Sequence, residues 1–111
     1  MKAILDEGVP RQVIPFLERA GCKVEPFPKR WKGLENGELL AQLAKAEFEC
    51  LVTCDRNLIY QQNIMRAGLA VVVLPGQRLE QLIERSVEIA AAISNAKPGA
   101  SIELARSRRG V

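Results

Sequence analysis

Residues 70–74 read Ala-Val-Val-Val-Leu, a β-branched run that is apolar at every position. A strand with one solvated face alternates apolar and polar residues, whereas a continuously apolar strand is typical of a parallel sheet covered on both faces. Two other largely apolar runs, at residues 3–5 and 50–54, are separated from it by helical patterns. The sequence therefore predicts an α/β fold with a mostly parallel, Rossmann-like sheet and helices on both faces.

Helical spacing of apolar residues predicts the connecting segments. Val13, Leu17 and Ala20 indicate a first helix, and Pro15 inside it predicts a kink or a short first turn. Asn36 is predicted to cap a second helix. The remaining predicted helices are residues 60–66 and one long amphipathic helix over 79–93, and the remaining predicted strands are residues 22–25 and 101–104.

The size and composition of the chain limit its class. At 111 residues, with 48% hydrophobic and 26% charged residues, it fits one globular domain, predicted over residues 1–105 with a loose basic tail at 106–111. No apolar run approaches the roughly 18 residues of a membrane span, so we expect no membrane partner. The short apolar start ends at Asp6 and Glu7, unlike a secretory signal, and we expect a cytoplasmic protein.

The cysteine and histidine counts exclude several kinds of site. Cys22, Cys50 and Cys54 are an odd number without paired spacing, which argues against a disulfide framework and a zinc site. Cys50 and Cys54 would lie about 13 Å apart along a strand, so reduced cysteines are expected. The chain has no histidine, which excludes Ser-His and Cys-His nucleophiles.

Acidic residues follow two of the predicted strands. Asp6 and Glu7 come after the first strand, and Asp55 comes after the third. Ligands of open parallel sheets bind outside the carboxyl ends of the strands, so these side chains are expected to converge on one crevice. The helix start at residues 36–38 is expected to join them.

Several segments resemble, in order, a group of small bacterial PIN-like proteins related to toxin ribonucleases. They are Leu-Asp-Glu-Gly-Val-Pro at 5–10, Trp-Lys-Gly-Leu at 31–34, Asn-Gly-Glu-Leu-Leu at 36–40, Leu-Val-Thr-Cys-Asp-Arg-Asn-Leu at 51–58 and Tyr-Gln-Gln-Asn at 60–63. Together they cover most of residues 1–75. The resemblance implies a PIN-like fold and a metal-dependent endoribonuclease that cleaves single-stranded RNA with Mg²⁺ or Mn²⁺. It also implies an antitoxin-like protein partner, and the sequence is compatible with a homodimer.

Carried over by position, the resemblance makes Asp6 the first acidic ligand and Asp55 the late aspartate of the Thr-x-Asp motif, both catalytic through the metal. Asn36 stands where typical PIN nucleases carry an aspartate, and an amide ligates a divalent ion more weakly than a carboxylate. Glu38 is the candidate further ligand, with Glu35 and Glu7 as alternatives.

Arg56 and Asn57 are the candidate substrate contacts, with an ion pair that orients the site as the alternative role of Arg56. Asp6, Asp55 and Asn36 could instead be plain caps of the segments that follow them.

Two other functions stay open at this point. Asn36 and the shortened middle of the chain are compatible with a catalytically silent PIN-like module that binds protein or RNA. A receiver-like signalling domain would also use acidic residues after the first and third strands. It is disfavoured because Leu74 and Pro75 stand where a Ser or Thr should end the fourth strand, and because Lys97 follows a helix.

A basic cluster surrounds the single tryptophan. Lys29, Arg30 and Lys32 flank Trp31 and contribute to the net charge of +3. Such a cluster could contact phosphates and bases of RNA, or Trp31 could be a packing anchor beneath a solvated loop.

Overall fold

All five strands of the sheet run parallel. The structure, a computed structural model, describes residues 2–57 and 68–105. The strands are β1 (Ala3–Leu5), β2 (Val24–Glu25), β3 (Cys50–Thr53), β4 (Ala70–Val73) and β5 (Ser101–Glu103). Their order in the sheet is β2-β1-β3-β4-β5. The prediction of an α/β fold with a parallel sheet is confirmed.

The helices described are α1 (Ile14–Arg19), α2 (Asn36–Lys45), α3 (Leu79–Glu84) and α4 (Ser86–Asn95), with short 3-10 turns at Arg11–Val13 and Lys29–Trp31. Pro15 lies in the first turn of α1, where a missing N–H costs no hydrogen bond, and the 3-10 turn precedes it. The predicted short first turn is therefore present.

The two faces of the sheet carry separate cores. Leu5, Val52 and Val72 point to one face, where they pack with residues of α1, α3 and α4 such as Leu17. Ile4 and its neighbours in β3 and β4 point to the other face, where they pack with Trp31 and with Leu39 and Leu43 of α2. Because both faces are covered, β4 needs no polar side, which accounts for its continuously apolar sequence.

The prediction of one helix over residues 79–93 is wrong at Arg85. Arg85 leaves the helical conformation at φ −104° and ψ 18°, and its guanidinium donates to Glu88 and, at 2.6 Å, to the carbonyl of Ala105. Val87 is 73% exposed. At 100° per residue, Val87 and the buried Ile89 lie on nearly opposite sides of α4, so Val87 does not belong to the apolar face of that helix.

The predicted cap of α2 is also one residue off. The N-cap is Glu35, and Asn36 is the first residue of the helix. Glu38 Oε1 accepts a hydrogen bond from Glu35 N at 3.3 Å, so the carboxylate three residues along the helix satisfies the cap.

Some predictions lie outside the described residues. These are the helix over 60–66 and the loose tail at 106–111. Within residues 2–57 and 68–105, no helix is both long enough and apolar enough to cross a bilayer.

Candidate functional site

The order of the strands places two aspartates beside each other. β1 lies between β2 and β3, so the connections from β1 and β3 leave in opposite directions, and ligands of such sheets bind in the crevice at that point. Leu5 aligns with Val52, and the next residue on each strand is Asp6 and Thr53. Asp6 N donates to Val52 O at 2.7 Å and so extends the ladder by one bond. Asp6 is therefore level with Thr53 at the end of the sheet. Asp55 follows two residues after Thr53, at the same crevice.

The hydroxyl of Thr53 links the two acidic segments. It donates to Asp6 Oδ2 at 2.8 Å and accepts from Asp55 N at 3.0 Å. Thr53 is fully buried and is the one buried polar residue in the described part of the chain. A buried hydroxyl without a partner is costly, so this bridge fixes the end of β1 relative to the turn after β3.

Each aspartate also holds its own turn. Asp6 Oδ1 accepts from Glu7 N at 2.9 Å, and Asp55 Oδ1 accepts from Asn57 N at 2.9 Å. A carboxylate oxygen has more than one acceptor site, so these bonds leave lone pairs on both side chains. The alternative role as local caps is therefore real for both residues, and it does not use up their capacity as ligands.

The other two predicted ligands lie at the start of α2. Asn36 and Glu38 are both exposed there, and Glu38 is engaged with the backbone of Glu35. Across residues 2–57 and 68–105, no three acidic or cysteine side chains come close enough to share a metal ion. The described structure thus brings Asp6 and Asp55 together through Thr53 and does not add a third carboxylate to them.

Two carboxylates at one crevice suit a particular kind of cation. Mg²⁺ commonly takes one or two protein carboxylates and keeps its remaining positions for water and substrate phosphates. Asp6 and Asp55 are of the residue type that such an ion takes as ligands. Glu38, the further carboxylate ligand considered from the PIN resemblance, does not join them within the described residues.

Arg56, a predicted substrate contact, is tied into the protein. Its guanidinium forms an ion pair with the carboxylate of Glu103, and Nη2 donates to Leu104 O at 3.3 Å. Arg56 therefore connects the end of β3 to the end of β5, past β4. This is the ion-pair role considered from the sequence, while a phosphate contact stays a prediction. Asn57 is exposed next to it.

An open cleft runs beside this ion pair. Its volume is ≈ 460 Å³, within the range of about 300–1,000 Å³ that is typical of small-ligand sites. Cys54 and Arg56 line one side and residues 74–77 line the other. Asp55 stands between Cys54 and Arg56 in the chain, so the cleft lies next to the turn that carries Asp55.

Two residues of the site, Thr53 and Cys54, were not among the ligands and substrate contacts predicted from the sequence. A signal for Thr53 was present, because it is the only hydroxyl in a strand that is otherwise apolar or cysteine, and a buried polar group needs a partner. No pattern in the sequence indicates that Cys54 Sγ lies 3.1 Å from Gly76 O.

The residue types that a receiver domain places after its fourth and fifth strands, a Ser or Thr and a Lys, do not follow β4 and β5 here. Leu74 and Pro75 follow β4 and are buried, Leu104 follows β5, and Lys97 lies before β5, at the opposite end of that strand. The carboxyl ends of β4 and β5 therefore carry neither the hydroxyl nor the lysine of the receiver scheme.

No family model matches the chain, and no similar curated protein or solved structure was found. The resemblance to PIN-like proteins therefore stays a prediction, and the function has to be argued from the site itself.

Replacing Thr53 by valine tests the bridge. The change keeps the shape of the side chain and removes the hydroxyl, leaving Asp55 N and Asp6 Oδ2 without this partner. We expect the free energy of unfolding to fall by about 1–3 kcal/mol, measured by urea denaturation. Thr53→Ser keeps the hydroxyl and should lose clearly less. Equal losses in the two variants would assign the effect to packing.

The thiols give the site a dependence on alkaline pH. Burial, and after it the charge of Asp6, raises the pKa of Cys54 to about 11, while burial and Cys22 raise the pKa of Cys50 to about 12. All three cysteines are free thiols. An unfolded thiol ionises near pH 8.5. The unfolded chain therefore loses these protons first, so stability is complete below about pH 8.5 and falls as the pH rises towards 11.

We expect urea midpoints that decline over this range in the wild-type protein and decline less in a Cys50→Ala/Cys54→Ala variant. That difference isolates the thiols from lysine and tyrosine titration. Parallel declines in the two proteins would show that the thiols do not contribute.

Proposed function

We propose that this protein is a metal-dependent ribonuclease of the PIN-like type, acting on single-stranded RNA in the cytoplasm. The observation that carries the proposal is the bridge from Asp6 through the Thr53 hydroxyl to Asp55, at the crevice where the strand order reverses. This buried hydroxyl fixes the carboxylate of Asp6 and the backbone of Asp55 at the position where such sheets bind ligands.

The residue types support a divalent ion. Asp6 and Asp55 would hold one Mg²⁺ or Mn²⁺, which when bound lowers the pKa of a water ligand and offsets charge on the phosphate. Thr53 orients Asp6 through its donated hydrogen bond, as groups behind metal ligands commonly do. The Arg56–Glu103 pair keeps the turn after β3 in position next to the open cleft.

A second function is favoured by a separate observation. No third carboxylate joins Asp6 and Asp55 within the described residues, as an active PIN nuclease would require by the resemblance. A silent PIN-like module that binds RNA or a protein would need none. An antitoxin-like partner is compatible with either function and follows from the resemblance alone.

Cleavage of mixed cellular RNA by purified protein in Mn²⁺ separates the two functions. The wild type is compared with an Asp6→Asn/Asp55→Asn variant prepared identically. We expect cleavage by the wild type alone. Equal cleavage by both samples would indicate a contaminating nuclease and would remove the support for the proposal, and no cleavage by either would favour the silent module.

A further inference from the structure

A second concave surface lies next to the acidic site, at the ends of β1 and β2. Its volume is ≈ 350 Å³. One wall comes from the turn after β1, with Glu7, Arg11 and Gln12, and the other comes from the loop after β2, with Phe27, Lys29 and Lys32. We call this surface the basic groove. Glu7 directly follows Asp6, so the groove opens beside the proposed metal site.

The charge of the basic groove is strongly positive. Three cations face one carboxylate, and Arg11, Lys29 and Lys32 form no ion pair with any residue in the described part of the chain. All three side chains are exposed. Unpaired cations gathered around a concave surface attract a polyanion, because phosphate charge replaces the counterions that would otherwise collect there.

The groove also has an aromatic wall that is held in place. Phe27 packs edge-on against Trp31, with ring centroids 6.2 Å apart and planes at 80°. Trp31 itself is only 4% exposed, between Phe27 and Phe48. The sequence left open whether Trp31 contacts a ligand, and its burial makes it the packing anchor. Phe27 is the aromatic side chain of this loop that lines the groove.

Cations and a fixed aromatic ring together match the chemistry of a single-stranded nucleic acid, whose bases stack on aromatic rings while basic residues follow the phosphates. The volume lies at the lower end of the range for small-ligand sites, so it suits one nucleotide. We propose that the basic groove binds a nucleotide of single-stranded RNA that flanks the phosphodiester at Asp6 and Asp55, with Phe27 beneath the base. This inference rests on the proposed ribonuclease function for its placement, and its test is independent of cleavage.

Binding of a fluorescein-labelled 12-nucleotide oligouridylate is measured by anisotropy in EDTA, where no divalent ion is available for cleavage. The groove variant is Arg11→Ala/Lys29→Ala/Lys32→Ala. The matched control is Lys23→Ala/Lys45→Ala/Lys97→Ala, which removes the same charge from exposed positions outside the groove. Thermal unfolding verifies that both variants are folded.

The groove variant should bind about 10- to 100-fold more weakly in 0.1 M salt. The slope of log K against log salt should become less steep by about 1.4, since the bound nucleotide has a phosphate on either side and each lost phosphate contact on a single strand removes about 0.7. The control should change both quantities much less. A Phe27→Leu variant should bind about 5-fold more weakly or worse with an unchanged slope, because it loses stacking and keeps the charges.

Equal weakening in the groove variant and the control would overturn the groove as a site, since net charge alone would then account for binding. Absence of oligouridylate binding by the wild type would overturn it as well. The two proposals fail separately. Groove-dependent binding without Mn²⁺-dependent cleavage would leave an RNA-binding module, and cleavage that is unchanged in the groove variant would leave a nuclease whose substrate lies elsewhere.

Discussion

An Asp55→Asn variant should lose about 10³-fold of the Mn²⁺-dependent cleavage of single-stranded RNA, because a bound ion contributes several kcal/mol to the stabilisation of the transition state. Asparagine keeps an oxygen that accepts the hydrogen bond from Asn57 N, which Asp55 Oδ1 accepts at 2.9 Å. The turn after β3 should therefore stay intact while the negative charge is lost. The rate is measured on a defined single-stranded RNA at saturating Mn²⁺.

The matched control for this variant is Glu84→Gln. Glu84 is an exposed carboxylate at the end of α3 and forms no ion pair with the described residues. Its replacement changes the net charge by the same amount and should leave cleavage within about two-fold, as expected for an exposed position without special contacts. Retention of cleavage by Asp55→Asn would remove Asp55 from the catalytic set, and a comparable loss in Glu84→Gln would point to an effect of overall charge.

Replacing Leu17 by alanine should reduce the free energy of unfolding by about 2–5 kcal/mol, because a buried leucine loses its transfer energy and leaves a cavity. Leu17 is fully buried and lies on α1, which packs on the same face of the sheet as α4. A domain of this size is stable by only about 5–15 kcal/mol, so the variant is expected to be marginal. Urea denaturation measures the change, with one common slope of unfolding free energy against urea concentration fitted to all variants.

Val87→Ala is the comparison for Leu17→Ala. Val87 is 73% exposed on α4, so its truncation should change the unfolding free energy by no more than about 0.5 kcal/mol. A large loss in Val87→Ala would contradict the exposed position of Val87 on α4.

The elements that could be read from the sequence are those set by local patterns. The apolar runs predicted β1, β3 and β4 because strands covered on both faces have no polar residues to alternate with. Asp6 and Asp55 could be chosen because the ends of parallel strands share one edge. The strand order makes β1 and β3 neighbours. It could not be predicted, because it depends on contacts between residues that are far apart in the chain.

The features that the sequence did not predict depend on tertiary contacts. Arg85, where α3 and α4 meet, donates a hydrogen bond to the carbonyl of Ala105, twenty residues away. Arg56 pairs with Glu103 across 47 residues. The basic groove joins Arg11, from the turn after β1, to Lys29 and Lys32 of the basic cluster that the sequence had indicated. Trp31, which that cluster surrounds, turns out to be buried.

Asn36, which stands where typical PIN nucleases carry an aspartate, bears on the proposed activity. Asn36 is the first residue of α2, and Glu38 completes the cap of that helix, so both positions have a structural role without any metal. A helix start can hold these residue types for its own stability. The proposed activity therefore depends on whether Asp6 and Asp55 are enough to bind an ion.

Mn²⁺ binding to the purified protein answers that question most directly. Isothermal titration is carried out on the wild type, on Asp6→Asn/Asp55→Asn and on the Glu84→Gln control, with Thr53→Ser included to keep the bridge. We predict one site in the wild type, in Glu84→Gln and in Thr53→Ser, and loss of that site in the double variant. Equal binding by the double variant and the wild type, or no binding by any of the four proteins, would contradict a metal site at Asp6 and Asp55.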